Sequence, residues 1–429
     1  MNAGSPVPEK PRPVRGFSFL DGTRLDSARA QTWLLGILCG LLYVAAAVAV
    51  RWKPPYTDEI THYAQIWLFA HGHWRVLPEL TTIPGYHLVA AGVLRLTGDV
   101  SLQGTRLLGT AFTLAAAAGF HALRARLWPG TQTLATAQLL ALPILVPLYF
   151  LAYTDVFALA LLLWAAWAAV CSRHWLAAAL LVALVGVRQH EVVWSGLFAL
   201  FAMGRTDWRE VLRHWHETVI AMIAYMLPVA VFVGFWAWNG SISLSHSQAA
   251  LHPDASLHLG NLLFALVVVG VLLPLQVAQG FARAAHAIVR QPWLAVLPLL
   301  LMFGFWFLFS ADNPYNGALP GFYLHNRLPM LIEHRPWIRS IAAMVATACA
   351  CALAATPLRP ARARWLFAIA ALFLAASWLV ELRYVAVPMV LWLALREHRS
   401  RAVEWATFAL WLALAVWIMS GVLAQRFFL

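Results

Sequence analysis

The chain has 429 residues, 62% of them hydrophobic and 11% charged, with a formal net charge of +12 at pH 7; that apolar share lies far above a soluble domain's. Its 30 Lys and Arg are scattered through short loops and form no stripe, so a nucleic-acid footprint is excluded and membrane topology is the better account. The four cysteines (Cys39, Cys171, Cys349 and Cys351) lie inside apolar runs and indicate neither a disulfide framework nor a zinc site.

Residues 1–30 read as a basic cytoplasmic tail, and residues 31–429 as one multi-pass membrane domain. The first apolar run, Gln31 to Val50, has no convincing cleavage site and is expected to be a retained span. Further spans are predicted at Thr105–Leu123, Thr133–Leu151, Val156–Val170, Trp175–Val187, Val192–Met203 and Thr218–Trp238. The series continues with Gly260–Val277, Trp293–Phe309, Ile341–Ala355, Trp365–Val380, Val385–Leu395 and Val403–Val422, about thirteen crossings in an all-α protein. With the N-terminus inside, the loops holding Arg124 and Arg126, Arg173, Arg205 to Arg213, Arg283 to Arg290, Arg359 to Arg364 and Arg396 to Arg401 all fall inside, as the positive-inside rule requires. Counting the apolar stretch Pro84 to Leu96 as a span would invert every later loop, so it reads as an interfacial helix.

That topology gathers a second set of motifs outside: YTDEITHYAQ (56–65), ELTTIPGYH (79–87), YTD (153–155), RQHE (188–191), NGSISLSHSQ (239–248), ADNPYNG (311–317), FYLHNR (322–327) and ELRY (381–384). Charge beside a span is costly, so ionisable groups at many helix ends on one side imply a shared polar cavity. In the first outer loop, Ile60, Tyr63, Ala64, Trp67 and Leu68 keep helical spacing and leave Asp58, Glu59 and His62 on the polar face of an amphipathic helix. Asp58 or Glu59 suits a general base; the plainer reading is a helix N-cap. Arg188, with Gln189 and Glu191, suits a clamp on phosphate and sugar, as do Glu381, Arg383 and Tyr384, although acid–Arg sets also satisfy themselves. Tyr153, Asp155, His246, Asp312 and Asn313 suit acceptor or sugar hydroxyls; the plainer readings are helix starts and turns and, for His246 with His252 and His258, loop histidines whose spacing matches no metal site. Neither a metal nor another cofactor is expected.

Taken in order, YTDEITH, TTIPG, YTD, the pair Arg188–Gln189, NGSISLSHSQAALHP, ADN and ELRY resemble the motifs of the eukaryotic endoplasmic-reticulum α-1,2-glucosyltransferases that add the last glucose to the dolichol-linked oligosaccharide. The resemblance implies a GT-C glycosyltransferase fold, a polyprenyl-phosphate glucose donor entering from the bilayer, and an acceptor glycan or lipid-linked glycan. It also implies inverting displacement with Asp58 as base and Arg188 or Arg383 at the departing phosphate. The chain departs from the family pattern at RQHE, where the family has Arg-Gln-Thr-Asn, at Pro314-Tyr315-Asn316 after ADN, and at Ile83 in place of a proline. Its Ala, Arg and Trp richness reads as bacterial, which would place it in an inner membrane with the site facing the periplasm. Competing readings are a GT-C enzyme for another lipid-linked sugar such as mannose, and a transporter or flippase, whose internal repeat and midplane polar site are not evident.

Overall fold

A computed structural model describes residues 19–203, 209, 213, 215–245, 257–317, 327–398 and 400–427. In chain order the helices are α1 (Phe19–Arg51), α2 (Glu59–Ala70), α3 (Gly85–Thr97), α4 (Leu102–Leu127), α5 (Gln132–Leu140), α6 (Thr154–Val170), α7 (His174–Val185) and α8 (Trp194–Ala202). They continue with α9 (Trp215–Asn239), α10 (Gly260–Leu272), α11 (Pro274–Arg290), α12 (Val296–Leu308), α13 (Arg327–His334), α14 (Pro336–Ala354), α15 (Trp365–Ala375), α16 (Leu382–Leu395) and α17 (Arg401–Leu423).

Among the described residues five helices are long and apolar enough to cross a bilayer: Ala30–Arg51, Leu102–Leu127, Trp215–Asn239, Pro336–Ala354 and Arg401–Leu423. Between them run shorter apolar helices such as α6, α7 and α16. The chain is an integral multi-pass membrane protein. Two expected spans are not single helices, and proline is the reason in both. Pro143 and Pro147 stop α5 at Leu140, and the chain returns only as a 3-10 turn over Pro147–Phe150. Pro274 ends α10, and α11 leaves at 107° to it. The stretch expected to lie at the interface forms α3, a 13-residue helix with one buried face.

At the centre, α4 packs on the Ala-rich α6, where small residues let the backbones approach. Helix α4 carries a buried arginine near each end. Arg106 donates to the carbonyls of Val50 and Lys53, both at 2.8 Å, and of Pro54 at 3.0 Å, so it caps the last turn of α1. Arg124 caps α16 in the same way, donating to the carbonyls of Leu393 and Ala394, both at 3.2 Å, and to that of Arg396. Beside it Arg396 forks onto Glu404 of α17 at 2.7 and 2.6 Å, and Gln138 of α5 donates to the same carboxylate at 2.9 Å. Both members of that pair are about 3% exposed. We predict that Glu404→Ala, which strands a buried guanidinium, destabilises the folded protein by about 3–5 kcal/mol, whereas Arg396→Met with Glu404→Met recovers most of the loss. Thermal unfolding of the two variants checks this; equal midpoints for Glu404→Ala and wild type would refute a supporting role.

Candidate active site

The site begins at the turn before α2. Thr57 takes φ of 40°, a left-handed conformation unfavourable for a β-branched residue, and its hydroxyl is hydrogen-bonded to that of the buried Tyr153. From this turn the two acids part. Glu59 is fully buried: Arg106 donates to it through Nε at 2.9 Å and Nη2 at 2.6 Å, and the backbone N–H groups of Tyr56 and Ala152 add bonds of 3.0 and 2.9 Å. The expectation that it faces the cleft is therefore corrected, because a carboxylate with four donors is already satisfied inside the protein. Asp58 occupies the N-cap position of α2 but makes no capping bond. Its carboxylate is 48% exposed to a cavity of about 640 Å³ and accepts from Arg383 Nη1 at 2.9 Å.

Arg383, in the first turn of α16, also pairs with Glu381 at 2.6 Å. Across the cavity Arg188, just after α7, pairs with Asp155 at the start of α6 and lies 3.6 Å from Glu191. Burial acts to raise the pKa of Asp58, but Arg383, and then His62, hold the carboxyl below its ordinary value. Burial pushes Glu381 up against the pull of Arg383, and pushes Glu191 up to about 7 against that of Arg188. His62, one turn along α2 from Asp58, lines the cavity, and burial pushes it down to about 4, so it is neutral. Its Nδ1 lies 2.9 Å from Nε2 of the buried His87, a residue that the sequence reading did not single out.

Several predicted site residues brace the cavity wall. Gln189 lines the cavity but spends its amide on the carbonyls of Thr81 (2.9 Å) and Ile242 (2.7 Å) and accepts from Ile83 N at 3.2 Å, joining the TTIPG loop to the segment after α9. Gly85 of that loop packs its backbone on Gly186, where an added Cβ would fall 2.3 Å from the carbonyl oxygen. Glu191 accepts from Trp194 at 2.6 Å and Asp155 stands behind Arg188. Asp312 accepts from Trp378 at 2.7 Å and Asn313 caps the turn at Tyr315 at 2.9 Å; neither lines the cavity, whereas Tyr315, His190 and Tyr384 do. His246 lies outside the described residues. Two further supports were given no role from the sequence, Asn261 not being singled out and Asn316 being noted only as a departure from the family pattern. Asn261 of α10 grips the carbonyls of Ser377 (3.0 Å) and Leu379 (2.5 Å) and Glu381 N (2.9 Å), and Asn316 bonds both backbone groups of Val380 at 2.7 and 3.1 Å. Both are polar residues in apolar or turn contexts, a pattern that sequence alone does not separate from ordinary capping. Among the described residues, no three His, Cys, Asp or Glu converge as metal ligands.

The apolar helical fold, with a cavity holding the Asp58–Arg383 pair and Arg188 across from it, and the family profile that matches it make the chain a polytopic membrane enzyme of the glycosyltransferase class. The chain belongs to the DIE2/ALG10 family, whose profile matches residues 52–210 and 200–394. It is similar to the Dol-P-Glc:Glc(2)Man(9)GlcNAc(2)-PP-Dol alpha-1,2-glucosyltransferase of Drosophila melanogaster, 28% identical over 390 residues that cover 81% of this chain and 85% of the relative. The enzyme of the same name from Yarrowia lipolytica is 26% identical over 191 residues, 41% of this chain and 36% of the relative. No solved structure matches the chain significantly.

The two neighbouring acids should separate in a stability assay. Glu59→Gln, which leaves Arg106 without its counter-charge, is expected to cost about 3–5 kcal/mol, and Asp58→Asn, at a half-exposed pair, under about 1 kcal/mol. Similar unfolding midpoints for the two variants would contradict the buried anchor.

Proposed function

We propose that this protein transfers a glucosyl residue from a polyprenyl-phosphate glucose donor to an acceptor glycan or lipid-linked glycan, by inverting displacement to an α-1,2 linkage. The observation that carries the reading is the meeting of Asp58 and Arg383 in the cavity, at 2.9 Å, in a chain of this family. Asp58 removes the proton of the acceptor hydroxyl, and the oxygen attacks the anomeric carbon of the β-linked donor. The bond from that carbon to the phosphate oxygen breaks, its electron pair leaving with the polyprenyl phosphate. Arg383 and Arg188 are the cations placed to receive the growing phosphate charge. In the resting site Arg383 is held by two carboxylates. A donor phosphate competes for the same guanidinium and loosens its hold on Asp58, so the base strengthens when the donor is seated. His62, with Nδ1 engaged by His87, keeps Nε2 for a sugar hydroxyl. Arginine-rich segments such as 359–364 and 396–401 lie away from the cavity, which supports a cytoplasmic location for them and an opposite, outer one for the site; in a bacterium, the origin that the composition suggests, that would be the periplasmic face of the inner membrane.

Purified protein in lipid nanodiscs, given synthetic polyprenyl-phosphate glucose and a membrane extract as acceptor source, tests this directly. Wild type should transfer glucose, and folded Asp58→Asn should be slower by roughly 10²–10⁴-fold. Equal rates would remove Asp58 from the chemistry, and transfer from the mannose donor alone would replace the sugar. The pH profile gives a second check. Arg383 is the main influence lowering the Asp58 pKa, so Arg383→Gln should raise that pKa and move the acidic limb of kcat/KM to higher pH. A limb that stays in place while kcat/KM falls would separate Arg383 from the base.

A further inference from the structure

Helix α11 takes no part in the cavity. Its first turn is tied to α17, where Gln276 Nε2 donates to Thr407 Oγ1 at 2.6 Å, and Gly280 packs on Ala352 in the last turn of α14. Because α16 runs from Arg383 at the cavity to Arg396 beside Glu404 of α17, these contacts put α11 at the opposite end of the bundle. Helix α10 descends to that end, and α11 leaves it at 107°, so α11 lies nearly parallel to the membrane surface.

Around its circumference the helix shows three different sides. Gly280 is buried against α14, with Ala284 and Ile288 half-buried on the same side. Next come Phe281, Val289 and Leu275, which are 45%, 79% and 44% exposed and face no other part of the protein closely enough to cover them. The third side is a polar stripe at helical spacing on a helix without Asp or Glu: Gln276 at its start is bonded to α17, Arg283 is half-buried, and Gln279, His286 and Arg290 are turned outward. His286 and Arg290 are exposed, and Trp293, 66% exposed, follows at the next turn. A helix in the membrane plane that turns one side to protein, one to hydrocarbon and a cationic stripe outward sits at the level of the lipid headgroups. We propose that α11 binds the phosphates of anionic phospholipids in the leaflet opposite the cavity, with the exposed Arg290 as the principal cation, His286 beside it and the half-buried Arg283 adding its charge. The charge sign, the exposed apolar side and the neighbouring spanning helices all point to a lipid surface as the occupant.

The test uses the full chain in nanodiscs of phosphatidylcholine with increasing phosphatidylglycerol. Lipid retention is read by native mass spectrometry and stability by the unfolding midpoint. Wild type should retain phosphatidylglycerol over phosphatidylcholine and gain stability as its fraction rises, the gain shrinking at high salt. Arg283→Gln with Arg290→Gln should keep its midpoint in phosphatidylcholine alone but lose that gain, with phosphatidylglycerol retention weaker by roughly tenfold. Should the double variant unfold in phosphatidylcholine, the exposed Arg290→Gln alone is read in the same way, with a fall of roughly fivefold. Undiminished selectivity in a folded variant, or no selectivity in wild type, would overturn the proposal. None of these readings depends on glucosyl transfer.

Discussion

A guanidinium deep in a membrane protein has five N–H donors to satisfy and no water with which to do it. Arg106 meets that demand completely: three donors go to the carbonyls of Val50, Lys53 and Pro54, and two go to Glu59. The carbonyl of Val50 lies in the last turn of α1, where Pro54 offers no N–H four residues on, and it accepts from Lys53 N at 2.9 Å and from Arg106, so one side chain closes α1 and fixes the start of α2. The forked contact also sets the rotation of α2 about its axis. With Glu59 turned inward against α4, the neighbouring Asp58 and, one turn later, His62 are left facing the cavity. Arg124 repeats the device five turns along the same helix, roughly 27 Å away at 1.5 Å per residue, close to the thickness of a bilayer core. Helix α4 thus acts as a strut with a helix end fastened at each side of the membrane.

The charged residues of the cavity come from segments far apart in sequence, and neutral amides hold those segments in place. Gln189 joins the loop before α3 to the segment after α9, while Asn261 and Asn316 take up the backbone groups of residues 377–381 just ahead of Arg383. An amide can donate and accept at once without introducing a charge that would itself need burial, so it suits this bracing inside a membrane domain. The arginines and carboxylates are then positioned by backbone that is already fixed, which is the condition for electrostatic catalysis without reorganisation.

The membrane class and the helix that begins beside Asp58 follow from patterns a few residues long, and these were legible in the sequence. The division of labour between Asp58 and Glu59 was not, because adjacent acids at a helix start have the same local signature. Their fates diverge through Arg106, 47 residues on, and Arg383, 325 residues on. The same limit hid His87, whose meaning comes only from its contact with His62. Apolar runs containing Pro143 or Pro274 look like uninterrupted spans by hydropathy, and the breaks appear only where the missing N–H and the ring act on the backbone. Gln189 reads as a sugar ligand from its place beside Arg188 at the end of an apolar run, yet its amide is committed to three backbone partners.

Under the proposed reaction the cavity must take a phosphate although acids outnumber arginines, and its protonation bears on that requirement. Asp58, Asp155, Glu191 and Glu381 surround Arg188 and Arg383, and if all were ionised an anionic donor would meet net repulsion. Burial separates them. It pushes Glu191 up to about 7 and raises Glu381, while Asp58 remains ionised through Arg383. Two of the four carboxyls are therefore the ones most readily neutralised when negative charge arrives, and uptake of a proton by either would offset the charge that grows on the leaving phosphate. Because Asp58 is held ionised by the arginine that a donor phosphate would also need, the proposed proton removal and leaving-group stabilisation would be coupled through one guanidinium. A lysine would not serve equally well there, since only a planar fork can hold Glu381 through Nε while another face passes between carboxylate and phosphate.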